Sequence, residues 1–270
     1  MNPSSIAFIG GGNMASAIIG GLLRSGRPAT DIGVVEPFEP QRERLRQQFG
    51  IVARAAADEA LRDAALVVWA VKPQSFPEAA EPCGGGRVSQ ALQLSVMAGI
   101  RSDAIVAASG SARVVRAMPN TPALIGLGIA GLFARPEVGA DERARVEALL
   151  QPTGQTLWVD REDDLDAVTA LSGSGPAYVF YFIEAMMQAA AEMGLQAEQG
   201  RRLAQATFAG AAALAQALPL QPAELRAQVT SKGGTTHAAI TALDAAGVKA
   251  AFVEALHAAR ERAAELGKGG

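Results

Sequence analysis

The sequence predicts an α/β protein, a parallel-sheet half followed by an all-α part, and three observations carry that expectation. Short apolar runs alternate with amphipathic stretches up to about residue 160, as βαβ units do. Three glycines, Gly10 to Gly12, stand between the first apolar run and the first amphipathic stretch. Beyond Asp160 the texture turns to long Ala- and Leu-rich stretches divided by Gly and Pro, with no strand pattern among them.

Ile6–Ile9 reads as a strand and Met14–Arg24 as a helix, and Ile32–Val35 with Pro40–Phe49 repeats the pair. Leu66–Val71 is the next strand, followed by the strand Leu92–Val96 and the helix Arg101–Ala108. Val114–Ala117, Gly128–Phe133 and Thr156–Val159 are further strands that extend the sheet, with the helix Glu142–Leu150 before the last. Ala177–Gly194, Ala197–Leu218, Ala223–Thr230, Thr235–Ala246 and Lys249–Leu266 read as helices. The charged segment Asp160–Asp166 is expected to be an exposed connection, so that residues 1–160 form one domain and 161–270 the other.

The 270 residues are 49% hydrophobic and 19% charged, enough apolar material for a real core and incompatible with global disorder. Lys+Arg 24 against Asp+Glu 27 leaves a net charge of −3, without a basic stripe for phosphates, so nucleic acid is not expected as a partner. Cys83 is the one cysteine, and His237 and His257 stand apart from other soft ligands. No internal disulfide and no metal are expected, and a reducing cytoplasm is the expected location. The uncharged stretch Met1–Leu23 has no basic start and is interrupted by Gly10–Asn13, so it reads as strand, turn and helix rather than as a signal peptide or membrane span. Ala-rich helices bury little area per residue, and association into a homo-oligomer through the C-terminal helices would supply the missing burial.

The strand from Ile6 runs through Gly10-x-Gly12-x-x-Ala15 into a helix, the dinucleotide fingerprint with Ala in its third place. Gly10 serves the tight turn, Gly12 admits a pyrophosphate against the backbone, and the helix opening at Asn13 and Met14 points N–H groups at the charge. The N-terminal domain is therefore expected to be Rossmann-type. Glu36, ending the second strand, is the acid that accepts from a ribose 2′-hydroxyl and repels a 2′-phosphate. Arg42 and Arg44 in the next helix could answer a 2′-phosphate, so the residues alone leave NAD and NADP both open.

Ala70-Val-Lys-Pro73 and Ser95-Val-Met-Ala-Gly99 leave their strands at the edge where open α/β sheets bind ligands, although each is also an ordinary strand exit. Arg116-Ala-Met-Pro-Asn-Thr-Pro122 is a loop stiffened by two prolines and suited to hold a ligand. Leu171-Ser-Gly-Ser-Gly-Pro-Ala-Tyr178 reads as a small-residue turn opening a helix at Pro176, gathering free N–H groups and two hydroxyls. Thr230-Ser-Lys-Gly-Gly-Thr-Thr-His237 opens another helix, and its N–H groups, hydroxyls and Lys232 make a carboxylate cradle. With no Ser-His-Asp set or paired catalytic carboxylates in the C-terminal half, the chemistry is expected to come from the dinucleotide.

Together, Phe8-Ile-Gly-x-Gly-x-Met-Ala15, Val71-Lys-Pro-Gln74, Arg116-x-Met-Pro-Asn-Thr-Pro122, Ser172-Gly-Ser-Gly-Pro-Ala-Tyr178 and Val229-Thr-Ser-Lys-Gly-Gly-Thr-Thr236 resemble the pyrroline-5-carboxylate reductase family over nearly the whole chain. The resemblance implies an all-α C-terminal dimerisation domain and NAD(P)H-dependent reduction of the C=N bond of 1-pyrroline-5-carboxylate to L-proline, the last step of proline biosynthesis. It implies that Ser231 and the N–H groups of Gly234 and Thr235 hold the substrate carboxylate, while the Thr236 hydroxyl accepts from the ring nitrogen as it becomes an amine. This loop is then expected from the neighbouring subunit of a homodimer, open to a higher homo-oligomer such as a decamer. The fingerprint residues, Glu36, Ala70, Lys72, Pro73 and Ala98 are expected to line the cofactor, with Met118, Asn120 and Ser172, Gly173 and Ser174 flanking the nicotinamide and substrate.

Two positions depart from the family pattern. Lys232 stands where proline is usual, and Glu36-Pro37 lacks the Ser/Asn-Arg character of NADP-preferring members. NADPH is the preference the resemblance implies, with NADH open. Two other readings fit less well. A two-domain carbonyl reductase, such as a β-hydroxyacid dehydrogenase, wants a Lys proton donor on the first C-terminal helix, where Tyr178 to Gly194 offers only Glu184 and Glu192. A non-catalytic dinucleotide sensor has no need of a carboxylate cradle.

Overall fold

The computed structural model describes residues 5–268. Strand β1 (Ile6–Ile9), helix α1 (Asn13–Arg24), β2 (Ile32–Val35) and α2 (Glu39–Phe49) come first. They are followed by β3 (Leu66–Trp69), the short helix α3 (Phe76–Ala80), β4 (Leu92–Ser95), α4 (Ser102–Ser109) and β5 (Val114–Met118). β6 (Gly128–Ala134), α5 (Ala140–Leu150) and β7 (Gly154–Trp158) complete this part.

The strands form one sheet in the order β2-β1-β3-β4-β5-β6-β7, with β1 to β5 parallel. The sheet is mostly rather than wholly parallel, because β6 runs antiparallel to β5. The connection 119–127 contains only the 3-10 turn Thr121–Ile125, too little chain for a crossover helix. α5 then provides a crossover, and β7 lies parallel to β6.

Period-two alternation divides the strand side chains between two layers. Phe8, Val68 and Leu94 face a core shared with Ile18 and Ile19 of α1, Leu45 of α2 and Leu149 of α5. Ile9, Val67 and Trp69 face another, shared with Phe76 of α3 and Ile105 of α4. Covering both faces is what makes the strands continuous apolar runs in the sequence. Cys83 lies in the second layer, where burial pushes its thiol up to about 11, so at neutral pH it packs and does not act as a nucleophile.

The chain continues through α6 (Asp164–Val168), a π-helical stretch (Thr169–Gly173), α7 (Gly175–Glu192), α8 (Ala197–Ala217), α9 (Pro222–Gln228), α10 (Thr235–Ala245) and α11 (Val248–Lys268). It divides into two compact units, one running to Ser174 and taking up the chain again from Ala259, the other Gly175–Ala258. This division falls later than the expected boundary at 160. Residues 161–174 belong to the sheet unit because α6 packs on β6: a Cβ on Gly131 would lie 2.6 Å from a Val168 methyl.

Within Gly175–Ala258 only Ala190, Gly200 and Ala204 are buried. Small residues let α7 and α8 approach closely, since a Cβ on Gly200 would come within 2.9 Å of the Ala190 Cβ. Phe252 meets Tyr178 and Phe182 edge-on, with ring centroids 5.7 and 5.8 Å away. Phe180, Tyr181, Met193 and Leu203 remain exposed. Among the described residues no single helix is long and apolar enough to cross a membrane.

Candidate active site

The cofactor end of the site lies at the C-terminal edge of the parallel strands, where β1 stands between β2 and β3 and the strand order reverses. Gly10 has a φ of 95°, a conformation open to glycine, and a Cβ there would stand 2.7 Å from the Ala70 carbonyl oxygen. The fold thus brings together two residues that the sequence assigned to one site. Gly11 has no room for a side chain either, since its Cβ would lie 2.6 Å from Leu45 Cδ1.

Gly12 is the opposite case. It caps α1, and a Cβ on it would meet nothing within 4 Å, so open space lies over the first turn of the helix. There the N–H groups of Asn13, Met14 and Ala15 have no intrahelical acceptor, and the helix dipole favours an anion. Ala15 is buried against the sheet, while Asn13 is exposed and Met14 half-buried. The arrangement fits a dinucleotide pyrophosphate.

Glu36 follows β2, and its carboxylate accepts from the N–H groups of Gly11 and Phe38, both at 2.9 Å. Gln41 Nε2 donates to the Gly11 carbonyl at 2.6 Å. The acid expected at the ribose therefore also braces the glycine turn. Arg42 is turned onto the carbonyls of Glu36 and Pro37, at 3.0 and 2.6 Å, and Arg44 is exposed on α2. A cavity of about 250 Å³ opens beside Gly10 and Val35, walled by Pro37, Ala55, Ala56, Ala57, Val71 and Pro82, with Ser75 and Glu78 among its polar groups. Apolar walls with a few polar groups suit a purine ring. Sequence reasoning missed Ala55–Ala57, Ser75 and Glu78, because alanines and a lone carboxylate on a short helix carry no signal without the cavity they line.

Further along the same edge, Lys72 and Pro73 are exposed at the start of a 3-10 turn. Ala98 lies half-buried in the loop after β4, which Ser95 Oγ holds by accepting the Met97 N–H at 3.2 Å. Met118 ends β5, and in the following loop Asn120 Oδ1 accepts the Ile129 N–H at 3.0 Å, which fixes the way its amide faces. Gly173 abuts Met118, since a Cβ there would lie 2.6 Å from Met118 Cε.

The Ser172–Ser174 segment differs in form from the expected open turn. It belongs to the π-helical stretch, in which the Ser174 N–H donates to the Thr169 carbonyl at 2.8 Å and Ser172 Oγ to the Val168 carbonyl at 3.0 Å. Groups expected to be free are satisfied by the preceding turn, although π-bulges of this kind are frequent at functional sites.

Behind these loops Arg116 Nη1 donates to Glu162 at 2.8 Å, and Ser102 donates to the same carboxylate through both its N–H and its Oγ at 2.7 Å. Burial alone would raise the Glu162 carboxyl. The Ser102 hydroxyl and N–H and the Arg116 guanidinium outweigh it and hold the group below the usual carboxylate range. Burial pulls Arg116 downward, yet its guanidinium stays charged at neutral pH. Nothing in the sequence marked Glu162, whose partners lie far along the chain.

In the unit Gly175–Ala258, α10 opens at Thr235 with Gly234 as its N-cap. The Gly234 N–H closes the turn onto the Ser231 carbonyl at 3.0 Å, so it is engaged where the resemblance implies a carboxylate donor. The N–H groups of Thr235 and Thr236, in the first turn of α10, have no intrahelical acceptor. Ser231 Oγ packs against Gly234, where a Cβ would lie 2.7 Å from it. Ser231, Lys232 and His237 are exposed and Thr236 is half-buried. Among the described residues no cluster of three or more His, Cys, Asp or Glu could hold a metal ion.

A glycine turn at the switch point of a mostly parallel sheet, with a purine-sized cavity beside it, defines the class: a Rossmann-type, dinucleotide-dependent oxidoreductase. Two family models match the chain, NADP oxidoreductase, coenzyme F420-dependent, over residues 5–99, and pyrroline-5-carboxylate reductase dimerisation over residues 162–266. The pyrroline-5-carboxylate reductase of Pseudomonas aeruginosa is 43% identical over 98% of each chain. The solved pyrroline-5-carboxylate reductase of Coxiella burnetii is 36% identical with a TM-score of 0.89, covering 98% of this chain and 99% of its own. The Plasmodium falciparum pyrroline carboxylate reductase, solved with NADP bound, is 25% identical with a TM-score of 0.84 over 99% of each chain. The chain belongs to the pyrroline-5-carboxylate reductase family. It is an NAD(P)H-dependent oxidoreductase acting on a C=N bond, and it takes a small-molecule substrate and forms homo-oligomers.

Proposed function

We propose that this chain reduces 1-pyrroline-5-carboxylate to L-proline in the cytoplasm, as the final step of proline biosynthesis. The observation that carries this reading is the end-to-end likeness to pyrroline-5-carboxylate reductases, in a chain that has both an open α1 N-terminus over Gly12 and the Ser231–Thr236 helix opening.

Bound NAD(P)H supplies the hydride. The α1 N-terminus holds the pyrophosphate, the cavity beside Val35 takes the adenine, and Ala70, Lys72, Pro73 and Ala98 line the remainder. Met118, Asn120 and the Ser172–Ser174 segment flank the nicotinamide and substrate. Ser231 Oγ with the Thr235 and Thr236 N–H groups holds the substrate carboxylate at the positive end of α10, and Gly234 shapes that turn. A cyclic imine takes its own proton near neutrality, so the carbon that receives hydride is already activated and no strong general acid is required. The C=N electron pair passes to the ring nitrogen, whose N–H the Thr236 hydroxyl accepts. Orientation by these groups does the remaining work.

The helical unit Gly175–Ala258 serves in dimerisation and substrate binding, and the sheet unit, which includes residues 161–174, holds the cofactor. The assembly is a homodimer through α7–α11, with a decamer as its higher form and the α10 opening of one copy serving the cofactor of the other. The exposed Phe180, Tyr181, Met193 and Leu203 support a partner copy. The test follows NADPH and, separately, NADH absorbance when the purified protein meets 1-pyrroline-5-carboxylate. Rapid oxidation is expected with at least one of them; binding of both without oxidation would remove the reductase reading.

A further inference from the structure

The loops assigned to the nicotinamide end are held in place by contacts that converge on β5. Arg116 pairs in register with Ser95 of β4, whose Oγ holds the loop that carries Ala98. Further along β5, Met118 pairs with Gly131 of β6. Val168 of α6 lies directly over Gly131, and Gly173 abuts Met118, so a Cβ on either glycine would come within 2.6 Å of its neighbour. α6 and the π-helical stretch therefore lie across the end of β5 with no slack between them. Glu162, at the entry to α6, fastens this layer to the strands. Its Oε1 accepts from Arg116 Nη1 at 2.8 Å and from the Ser102 N–H at 2.7 Å, and its Oε2 from Ser102 Oγ at 2.7 Å. Arg116 Nε is buried with no hydrogen-bond partner among the described residues, so Glu162 is what holds the guanidinium still. A buried guanidinium deprived of its carboxylate must seek another acceptor, and the strand that carries it ends at Met118.

Resting on the reductase reading above, we propose that Glu162 is a positioning residue for hydride transfer. By bonding Arg116 and Ser102 together it keeps the Ala98 loop, the Met118–Asn120 exit and the Ser172–Ser174 segment in the register at which nicotinamide and imine meet. A misplacement of about 1 Å between reacting groups costs about a hundredfold in rate. The pyrophosphate and adenine are held elsewhere, over Gly12 and in the cavity beside Val35. Loss of the carboxylate therefore slows the chemical step and leaves cofactor affinity near its wild-type value.

The experiment follows a single turnover. Enzyme loaded with one equivalent of NADPH or NADH, whichever the wild type uses, is mixed with saturating 1-pyrroline-5-carboxylate well below the thermal midpoint. Cofactor deuterated at both nicotinamide C4 positions identifies the hydride step, and fluorescence titration gives cofactor Kd. Glu162→Gln is expected to slow the hydride step about ten- to a hundredfold. Ser102→Ala, which forfeits one of the three bonds, should slow it about threefold. Val146→Ala truncates a fully buried side chain on α5, and should lower the midpoint while leaving the hydride step unchanged. Cofactor Kd should stay within about twofold throughout. A wild-type rate in Glu162→Gln would overturn the proposal, and so would an equal loss in Val146→Ala, which general loosening would produce. Should Glu162→Gln not fold, Ser102→Ala decides, and an unchanged hydride step there sinks the proposal. A wild type that binds cofactor without oxidising it would remove the reductase reading itself, and the proposal with it.

Discussion

The guanidinium of Arg116 on β5 and the carboxylate of Glu162, 46 residues further along, meet at 2.8 Å with both side chains largely buried. Glu162 also receives two hydrogen bonds from Ser102, so one carboxylate ties together three stretches of chain. Each leads into a part of the candidate site: Ser102 follows the Ala98 loop, Arg116 precedes Met118 and Asn120, and Glu162 precedes Ser172–Ser174. The segment expected to be an exposed connection is the fastening of the loops.

Glu162→Gln removes the charge opposite a buried guanidinium, and the expected cost is roughly 3–5 kcal/mol. Urea unfolding measures it, and an unchanged midpoint would show the pair to be idle. The pH dependence has a definite sign. A carboxyl held below its ordinary value contributes fully above about pH 4.3, the unfolded glutamate value, and loses that contribution as pH falls through the folded value. The stability gap between wild type and Glu162→Gln should therefore close in acid.

Gly10 and Gly12 should respond differently to alanine. Gly10→Ala forces a side chain to a φ of 95° with its Cβ 2.7 Å from a carbonyl oxygen, a strain of about 1–3 kcal/mol before any relaxation. Gly12→Ala meets open space, so its thermal midpoint should stay near that of the wild type while NAD(P)H affinity drops about tenfold from lost backbone approach. Unchanged cofactor affinity in Gly12→Ala would place the pyrophosphate elsewhere.

Thr236→Ala deletes the hydroxyl proposed for the ring nitrogen and leaves the α10 backbone in place. A loss of about tenfold in kcat, one hydrogen bond's worth, is expected with cofactor Kd unchanged. Steady-state kinetics beside a binding titration separate the two, and full turnover would take Thr236 out of the mechanism.

Phe180 is 59% and Tyr181 69% exposed in the single chain, an apolar face that a second copy would cover. Dilution should lower the thermal midpoint, as for any folded state stabilised by association. Tyr181→Asp should shift sedimentation toward monomer at micromolar protein. A midpoint independent of concentration, with an unaltered sedimentation profile, would move the interface away from α7.

Elements whose evidence is local were readable in the amino-acid order. Short continuous apolar runs marked β1 and β2, the glycines marked the turn into α1, and the Ala- and Leu-rich periodicity marked α7 to α11 to within a few residues. The same holds for the turn at Gly10, the α1 opening at Gly12 and the α10 opening at Thr235, because a tight turn or a helix opening is built from neighbours in sequence. What depended on partners far along the chain was not readable. β6 reverses because 119–127 is too short to cross over, and residues 169–173 wind into a π-turn rather than opening freely. Glu162 acquires its meaning only beside Arg116 and Ser102, and Ala55–Ala57 only beside the cavity they wall. Hydrogen-bonding patterns between adjacent residues are written in the order of the chain. Burial, paired charge and cavity shape arise when segments tens of residues apart are packed together, and only that packing decided them.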